Sequence, residues 1–172
     1  MEKPIIAVTM GDPAGIGPEI VAKSIADKAT YDVARCIVIG DKKVMEKAIE
    51  IVGADLKVNV VESPADGDYS YGVLNMIDLD NIDMSMFEYG KINAMCGQAA
   101  FDYIKKSIEI TMDKQADAVA TTPINKESLH AAEVDFIGHT EIFGALTGTA
   151  DPLTMFETNG LRVFFLTRHK SL

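Results

Sequence analysis

Apolar positions along the chain recur with two different periods. Pro4 to Thr9 (PIIAVT) is a short β-branched run, and the next periodic segment, Pro18 to Ala29, carries Ile20, Val21, Ile25 and Ala29 at helical spacing. A glycine-rich turn joins the two, so the chain opens as strand, turn and helix. Cys36 to Ile39 (CIVI) reads as a second buried strand. Asp41 then caps a helix containing Val44, Met45, Ala48, Ile49 and Val52, and Val58 to Val61 forms a third strand. This β-α-β-α-β alternation predicts an α/β fold, a mostly parallel open sheet layered between helices.

Further along, Glu62 to Tyr71 (ESPADGDYSY) has turn chemistry throughout and reads as a connection inside a domain. Lys91 to Asp113 places Ile92, Met95, Ala99, Tyr103, Ile104 and Ile108 at spacings of three and four, the stripe of a long helix packed on a sheet. Ala118 to Thr121 reads as a strand ending in the turn Thr122-Pro123-Ile124-Asn125-Lys126. Short helices are expected at 127 to 132 and 140 to 146. Leu161 to Thr167 (LRVFFLT) reads as a buried strand whose carboxyl end delivers Arg168, His169 and Lys170. No segment repeats. A domain seldom ends on the loop leaving a buried strand, so the 172 residues read as the amino-terminal part of a longer protein.

Composition narrows the partners. A hydrophobic content of 48% in 172 residues supplies the core of one domain, or of one domain and part of another. The formal net charge of −10 opposes the counterion release that drives binding to nucleic acid. No apolar run approaches the ~18 residues that span a bilayer, and the first residues lack the pattern of a secretory signal. Neither nucleic acid nor a membrane is an expected partner. Cys36 and Cys96 stand 60 positions apart and suggest neither a disulfide framework nor a zinc motif, which fits a cytoplasmic protein.

Three segments have the residue types for chemistry. The first is TMGDPAGIGPE, Thr9 to Glu19, at the carboxyl edge of the first strand, where ligands of open α/β sheets bind. Its spacing is neither the G-x-G-x-x-G fingerprint nor a phosphate loop, and no lysine follows at phosphate-loop spacing, which disfavours phosphoryl transfer. The same glycines also suit a tight turn, with Pro18 starting the helix and Glu19 complementing its dipole. The second is Gly138-His139-Thr140-Glu141. A histidine and a hydroxyl at a helix start suit an anionic, hydroxylated ligand; alternatively Thr140 caps the helix and His139 satisfies a local carbonyl. The third is Arg168-His169-Lys170, a cationic cluster in an acidic chain, in which neutral His169 can ligate a divalent metal. His130 has no partner at ligand spacing and reads as a surface or packing residue. Met84, Met86 and Met95 read as core fillers, and the acidic run Asp78 to Asp83 as a solvated face that lacks the features of a calcium loop.

Taken together, TMGDPAGIGPE, TTPINK, FIGHTE and LRVFFLTRH resemble, in this order and at similar spacing, the 4-hydroxythreonine-4-phosphate dehydrogenase family. The resemblance covers essentially the whole chain but about the first half of a typical member. It implies a fold similar to isocitrate and isopropylmalate dehydrogenases, with two α/β/α subdomains: residues 1 to 120 mainly in the first, 121 to 172 starting the second. It also implies an NAD-dependent oxidation of a secondary hydroxyl in a 4-phosphorylated hydroxy acid, followed by decarboxylation, in a cleft completed across a homodimer. In that family the His and Thr of GHTE contact substrate, which assigns that role to His139 and Thr140. The histidine after the LRV strand is a ligand of a divalent cation (zinc, magnesium or cobalt), which makes His169 the metal candidate. Such a cation lowers the pKa of the substrate hydroxyl and stabilises the enolate left by loss of carbon dioxide. With the family's other metal ligands lying beyond Leu172, the 172 residues alone are expected to bind metal poorly and to be inactive. The segment DPLTMFETNGLRVFFLTRHKSL looks more like the branch acting on D-threonate or D-erythronate 4-phosphate than like the vitamin B6 branch. Glu133 stands where many members have glycine. Two other functions compete with this one: a cis-dihydrodiol dehydrogenase of aromatic acid degradation, a relative of the same family, and a non-catalytic module that binds a phosphorylated acid.

Overall fold

The computed structural model describes residues 2–165. Its centre is a five-stranded, wholly parallel sheet in the order β3-β4-β2-β1-β5. Strands β1 (Ile5–Thr9), β2 (Arg35–Gly40), β3 (Lys57–Val60) and β5 (Ala118–Ala120) fall where hydrophobic patterning places them. Ala7, Ile37, Val38 and Ile39 are fully buried, as expected of parallel strands covered on both faces.

Strand β4 (Val73–Asp78) is not legible in that pattern, yet it lies between β2 and β3 and buries Leu74 and Met76. Asn75 interrupts its apolar run. The side chain is 2% exposed, and its amide is satisfied: Oδ1 accepts from Asn59 Nδ2 at 2.9 Å and from the Asp68 amide at 2.9 Å, while Nδ2 donates to the Asp68 carbonyl at 2.8 Å. The polar connection before it is thereby fastened onto the sheet, with a single 3-10 turn at Pro64–Asp66.

Helix α1 (Gly17–Ala26) buries Val21, Ala22 and Ile25. It stops earlier than its periodicity suggests. Asp27 adopts an extended backbone and its carboxylate accepts from the Ala29 amide, starting a separate helix α2 (Lys28–Val33). Helix α3 (Lys42–Val52) begins at the predicted cap, where Asp41 Oδ1 accepts from the Lys43 and Val44 amides. Helix α4 (Ala94–Met112) packs on β1, β2 and β5, burying Cys96, Ala99, Ala100, Tyr103 and Ile110 among others. Helices α5 (Lys126–Ala131) and α6 (His139–Thr147) pack in turn on α4.

The segment from Leu161 is a strand, but not a buried one. β7 (Leu161–Phe164) pairs antiparallel with β6 (Met155–Thr158), and every residue of both is exposed. Asn159 and Gly160 at the tip have φ of 48° and 81°, the two left-handed residues of a type I′ hairpin, which pair the segment with β6 in a separate two-stranded sheet. Two smaller expectations also change. Met84 and Met95 pack on the core, but Met86 is 63% exposed. The acidic run from Asp78 is only partly a solvated face: Ile82 is fully buried and its amide donates to Asp41 Oδ2 at 3.0 Å.

Both cysteines are free thiols, and no helix among the described residues is long and apolar enough to cross a membrane.

Candidate functional site

The carboxyl edge of the sheet differs along its length. Over β2 and β4 it is closed. The chain after β4 is strapped down by Leu79 donating to the Gly40 carbonyl at 2.9 Å, by Ile82 on Asp41, and by Lys43 Nζ donating to the Ile82 carbonyl at 2.8 Å. Tyr103 completes the closure, its hydroxyl donating to Asn81 Oδ1 at 2.9 Å.

Over β1 and β5 the edge is open. These neighbours send their chains in opposite directions: β1 leads through α1 to β2 on one side, and β5 leads to α5 on the other. Such a divergence is where open α/β sheets form a ligand crevice. Its walls are the Gly-rich turn and the TTPINK turn, and they are tightly joined. Thr122 Oγ1 donates to the Thr9 carbonyl at 2.9 Å, and the Asp12 amide donates to the Pro123 carbonyl at 3.0 Å. Gly11 has φ of 74°, and any Cβ on it would collide with the Pro123 carbonyl oxygen and stand 2.5 Å from Thr122 Oγ1. This glycine is required by close approach of two backbones.

Between the walls lies a cleft of about 570 Å³, within the range of small-molecule sites. Ile16 and Ile124 give it apolar sides, and Lys91 and Lys126 place cations at it in a chain of net charge −10. Asn125 forms part of the lining and caps α5, accepting from the Glu127 and Ser128 amides at 2.9 and 3.1 Å. Asp12, only 3% exposed, belongs to its lining, and burial pushes its carboxyl above the ordinary value, against the pull of the Ala14 amide, which donates to it, and of the nearby Ser128 hydroxyl.

His139 and Thr140 open helix α6 and do not line this cleft. The two regions are linked through apolar packing: Ile124 of the cleft wall belongs to the same cluster as Ile142 of α6, together with Phe136, Ile104 and Ile108. The residue in the cap position is Gly138, and no side chain caps the helix; Thr140 lies inside the first turn rather than capping it. His139 is half-buried, and its Nε2 is fully shielded with no hydrogen-bond partner. Burial also holds its pKa below the ordinary 6.5, so the ring is neutral at physiological pH with one nitrogen unused. His130 is exposed on α5. Arg168, His169 and Lys170 lie outside the described residues, and among the described residues no group of three or more His, Cys, Asp or Glu side chains is placed to hold a metal ion.

Sequence reasoning found both turns but not which of their residues face the opening. Lys91 had no motif to mark it; it reaches the cleft because the Gly90 amide donates to the Ala14 carbonyl at 2.8 Å, drawing the start of the α4 segment over the Gly-rich turn.

Comparison with known proteins agrees with this architecture. The family model for the pyridoxal phosphate biosynthetic protein PdxA matches residues 32–172. A protein of Fusobacterium nucleatum, provisionally named a D-threonate 4-phosphate dehydrogenase, is 57% identical over 167 residues, which are 97% of this chain and 50% of that protein. The crystal structure of a 4-hydroxythreonine-4-phosphate dehydrogenase from Burkholderia phymatum superposes with a TM-score of 0.94 at 38% identity, covering 99% of this chain and 52% of that one. A terephthalate 1,2-cis-dihydrodiol dehydrogenase from Burkholderia xenovorans is similar at a TM-score of 0.77 and 23% identity, over 99% of this chain and 50% of that one, which is a likeness of fold. The chain thus spans about half the length of the relatives it matches. By its parallel sheet, its two joined turns and its match over most of its length, the chain belongs to the PdxA family of dehydrogenases.

Proposed function

We propose that the full-length protein carrying these residues oxidises a 4-phosphorylated hydroxy acid with NAD and a divalent cation, and that decarboxylation of the 3-oxo acid follows. The observation that carries this reading is His139. It is a neutral imidazole whose Nε2 has no partner inside the protein, beside a threonine hydroxyl at the uncapped start of a helix. A buried polar nitrogen without a partner is costly in a finished structure, and a shift of the ring toward a bound substrate would let a substrate oxygen supply what it lacks.

His139 and Thr140 then hold the hydroxylated, anionic end of the substrate, and the free amides of the first turn of α6 add donors of the same polarity. The cleft between the Gly-rich and TTPINK turns fits the nucleotide part of a dinucleotide in size and lining. Ile16 and Ile124 would flank a flat ring, and Lys91 and Lys126 would face phosphate charge. NAD, when bound, accepts the hydride from the carbinol carbon. The cation is assigned to His169, which lies outside the described residues, and to ligands in the remaining half of the relatives' length; it supplies Lewis acidity toward the hydroxyl being oxidised. Within the substrate class, D-threonate or D-erythronate 4-phosphate is favoured over 4-hydroxythreonine 4-phosphate by the segment before His169 and by the name of the 57% identical relative.

The test is NADH formation by the full-length protein with magnesium, cobalt or zinc, offered each of the three phosphorylated acids. Turnover of the threonate or erythronate ester, at least tenfold above that of the amino acid ester, is expected. Replacement of His139 by alanine should raise the substrate KM by one to two orders of magnitude, given ~1.5 to 3 kcal/mol for a hydrogen bond to a charged group. Absence of NADH from all three substrates refutes the proposal.

A further inference from the structure

The Gly-rich turn from Met10 to Ile16 does not hold its position by itself. We propose that Asp12 is a positioning residue for cofactor binding, fixing the spacing between the two turns that wall the cleft. The inference rests on the reading of that cleft as the nucleotide site.

The backbone of Asp12 and one of its carboxylate oxygens are committed. Its amide donates across the β1/β5 gap to the Pro123 carbonyl at 3.0 Å, its carbonyl accepts from the Gly15 amide at 3.0 Å, and Oδ1 accepts from the Ala14 amide at 2.8 Å. One residue therefore joins both walls: its carboxylate holds the Gly-rich turn through Ala14, and its amide holds the TTPINK turn through the Pro123 carbonyl. The third wall follows, because the Ala14 carbonyl accepts from the Gly90 amide at 2.8 Å and so sets where Lys91 stands.

Burying this carboxylate has a cost, visible in its raised pKa. An alanine would remove the desolvation cost. It would also leave the Ala14 amide without its acceptor, and would loosen the Gly-rich turn against the Pro123 carbonyl. Sites tolerate little of this, since misplacement by ~1 Å loosens ligand contacts that depend on fixed geometry. Asp12 has almost no surface with which to touch a ligand, so its effect reaches the cofactor through Ala14, Gly15 and Lys91.

The experiment compares full-length wild-type protein with D12A and D12N in steady-state kinetics and thermal unfolding. D12A is expected to raise the KM for NAD about tenfold while kcat and the KM for the phosphorylated acid change less than threefold. D12N, which keeps an acceptor oxygen for the Ala14 amide, should return the NAD KM to within threefold of wild type. A residue that served folding alone would lower the melting temperature and the active fraction without moving any KM; an unchanged NAD KM in D12A overturns the proposal. If D12A does not fold, D12S, whose hydroxyl is a weaker acceptor for the Ala14 amide, takes its place, with a twofold to fivefold rise in the NAD KM supporting the proposal and an unchanged value overturning it. A wild-type protein that forms no NADH fails the dehydrogenase reading instead, which separates the two failures.

Discussion

Replacing Gly97 by alanine sets two physical effects against each other. Gly97 lies in the first turn of the 19-residue helix α4. Helix propensity alone predicts that alanine stabilises such a position by up to ~1 kcal/mol. Packing predicts the opposite. A Cβ at Gly97 would overlap the Ser128 carbonyl carbon and oxygen and stand 2.7 Å from the Leu129 amide nitrogen, where ordinary contacts lie at 3.4–4 Å. These are backbone atoms of α5, so no rotamer change relieves the overlap; α5 must retreat by ~1 Å or more. Ser128 and Leu129 are both fully buried, and the Asn93 amide donates to Ser128 Oγ at 3.4 Å, so the retreat opens packing and strains that bond. Overpacking of this kind costs ~1 to 3 kcal/mol or more. Set against the propensity gain, the net change is a destabilisation of ~1 to 2 kcal/mol. For a chain of this size that lowers the melting temperature by ~2 to 8 °C. Circular dichroism of the wild-type and G97A proteins, melted side by side, decides the matter. A melting temperature that rises, as propensity alone requires, would refute the packing account of how α4 and α5 meet.

Four further outcomes follow from individual residues. Glu133 has φ of 59°, a conformation that costs a non-glycine residue ~1 to 2 kcal/mol; after the entropy glycine gains on unfolding, E133G should stabilise by ~0.5 to 1 kcal/mol, and a lowered melting temperature would contradict this. N75A leaves the Asn59 amide and the Asp68 amide and carbonyl without partners inside the sheet, and should cost ~2 to 3 kcal/mol in a urea titration; a loss below ~0.5 kcal/mol would mean that water replaces the network. Because the folded-state pKa of His139 is lowered by burial, the unfolded chain binds the extra proton first. Its contribution to stability is complete above the unfolded value near 6.5 and is lost as pH falls below it; a ring proton resonance titrating at or above 6.5 in NMR would overturn this. Cys96 is fully buried and its thiol is pushed up to about 11 by burial and by the charge of Asp12, so Ellman's reagent at pH 8 should leave it unmodified in the native protein, whereas rapid labelling would show that the Asp12 region opens.

Each element that the sequence revealed has its cause within a few residues of itself. The β-branched run after Pro4 and the CIVI segment are strands because parallel strands bury both faces. Asp41 starts α3 because its carboxylate reaches the Lys43 and Val44 amides, and Gly53, with φ of 64°, ends it. The Asn159-Gly160 pair carried an equally local signal, a hairpin turn, which the strongly apolar LRVFF segment obscured. Strand β4 was hidden for another reason. Asn75 breaks its pattern, and the residues that make the asparagine acceptable, Asn59 and Asp68, are distant enough in sequence to leave no periodic trace.

The candidate site divides along the same line. The sequence by itself determined a parallel α/β sheet, a glycine-rich turn after its first strand, and a histidine and threonine at the start of a late helix, since each depends on local spacing and residue type. Only the tertiary structure decided that β1 and β5 are neighbours, bringing Gly11 against Pro123 and Asp12 toward Ser128 from more than a hundred positions away. It also decided that His139 Nε2 is shielded and unpaired. Burial and close approach arise from contacts between segments remote along the chain, and these follow from how the helices cover the sheet rather than from any short pattern of residues.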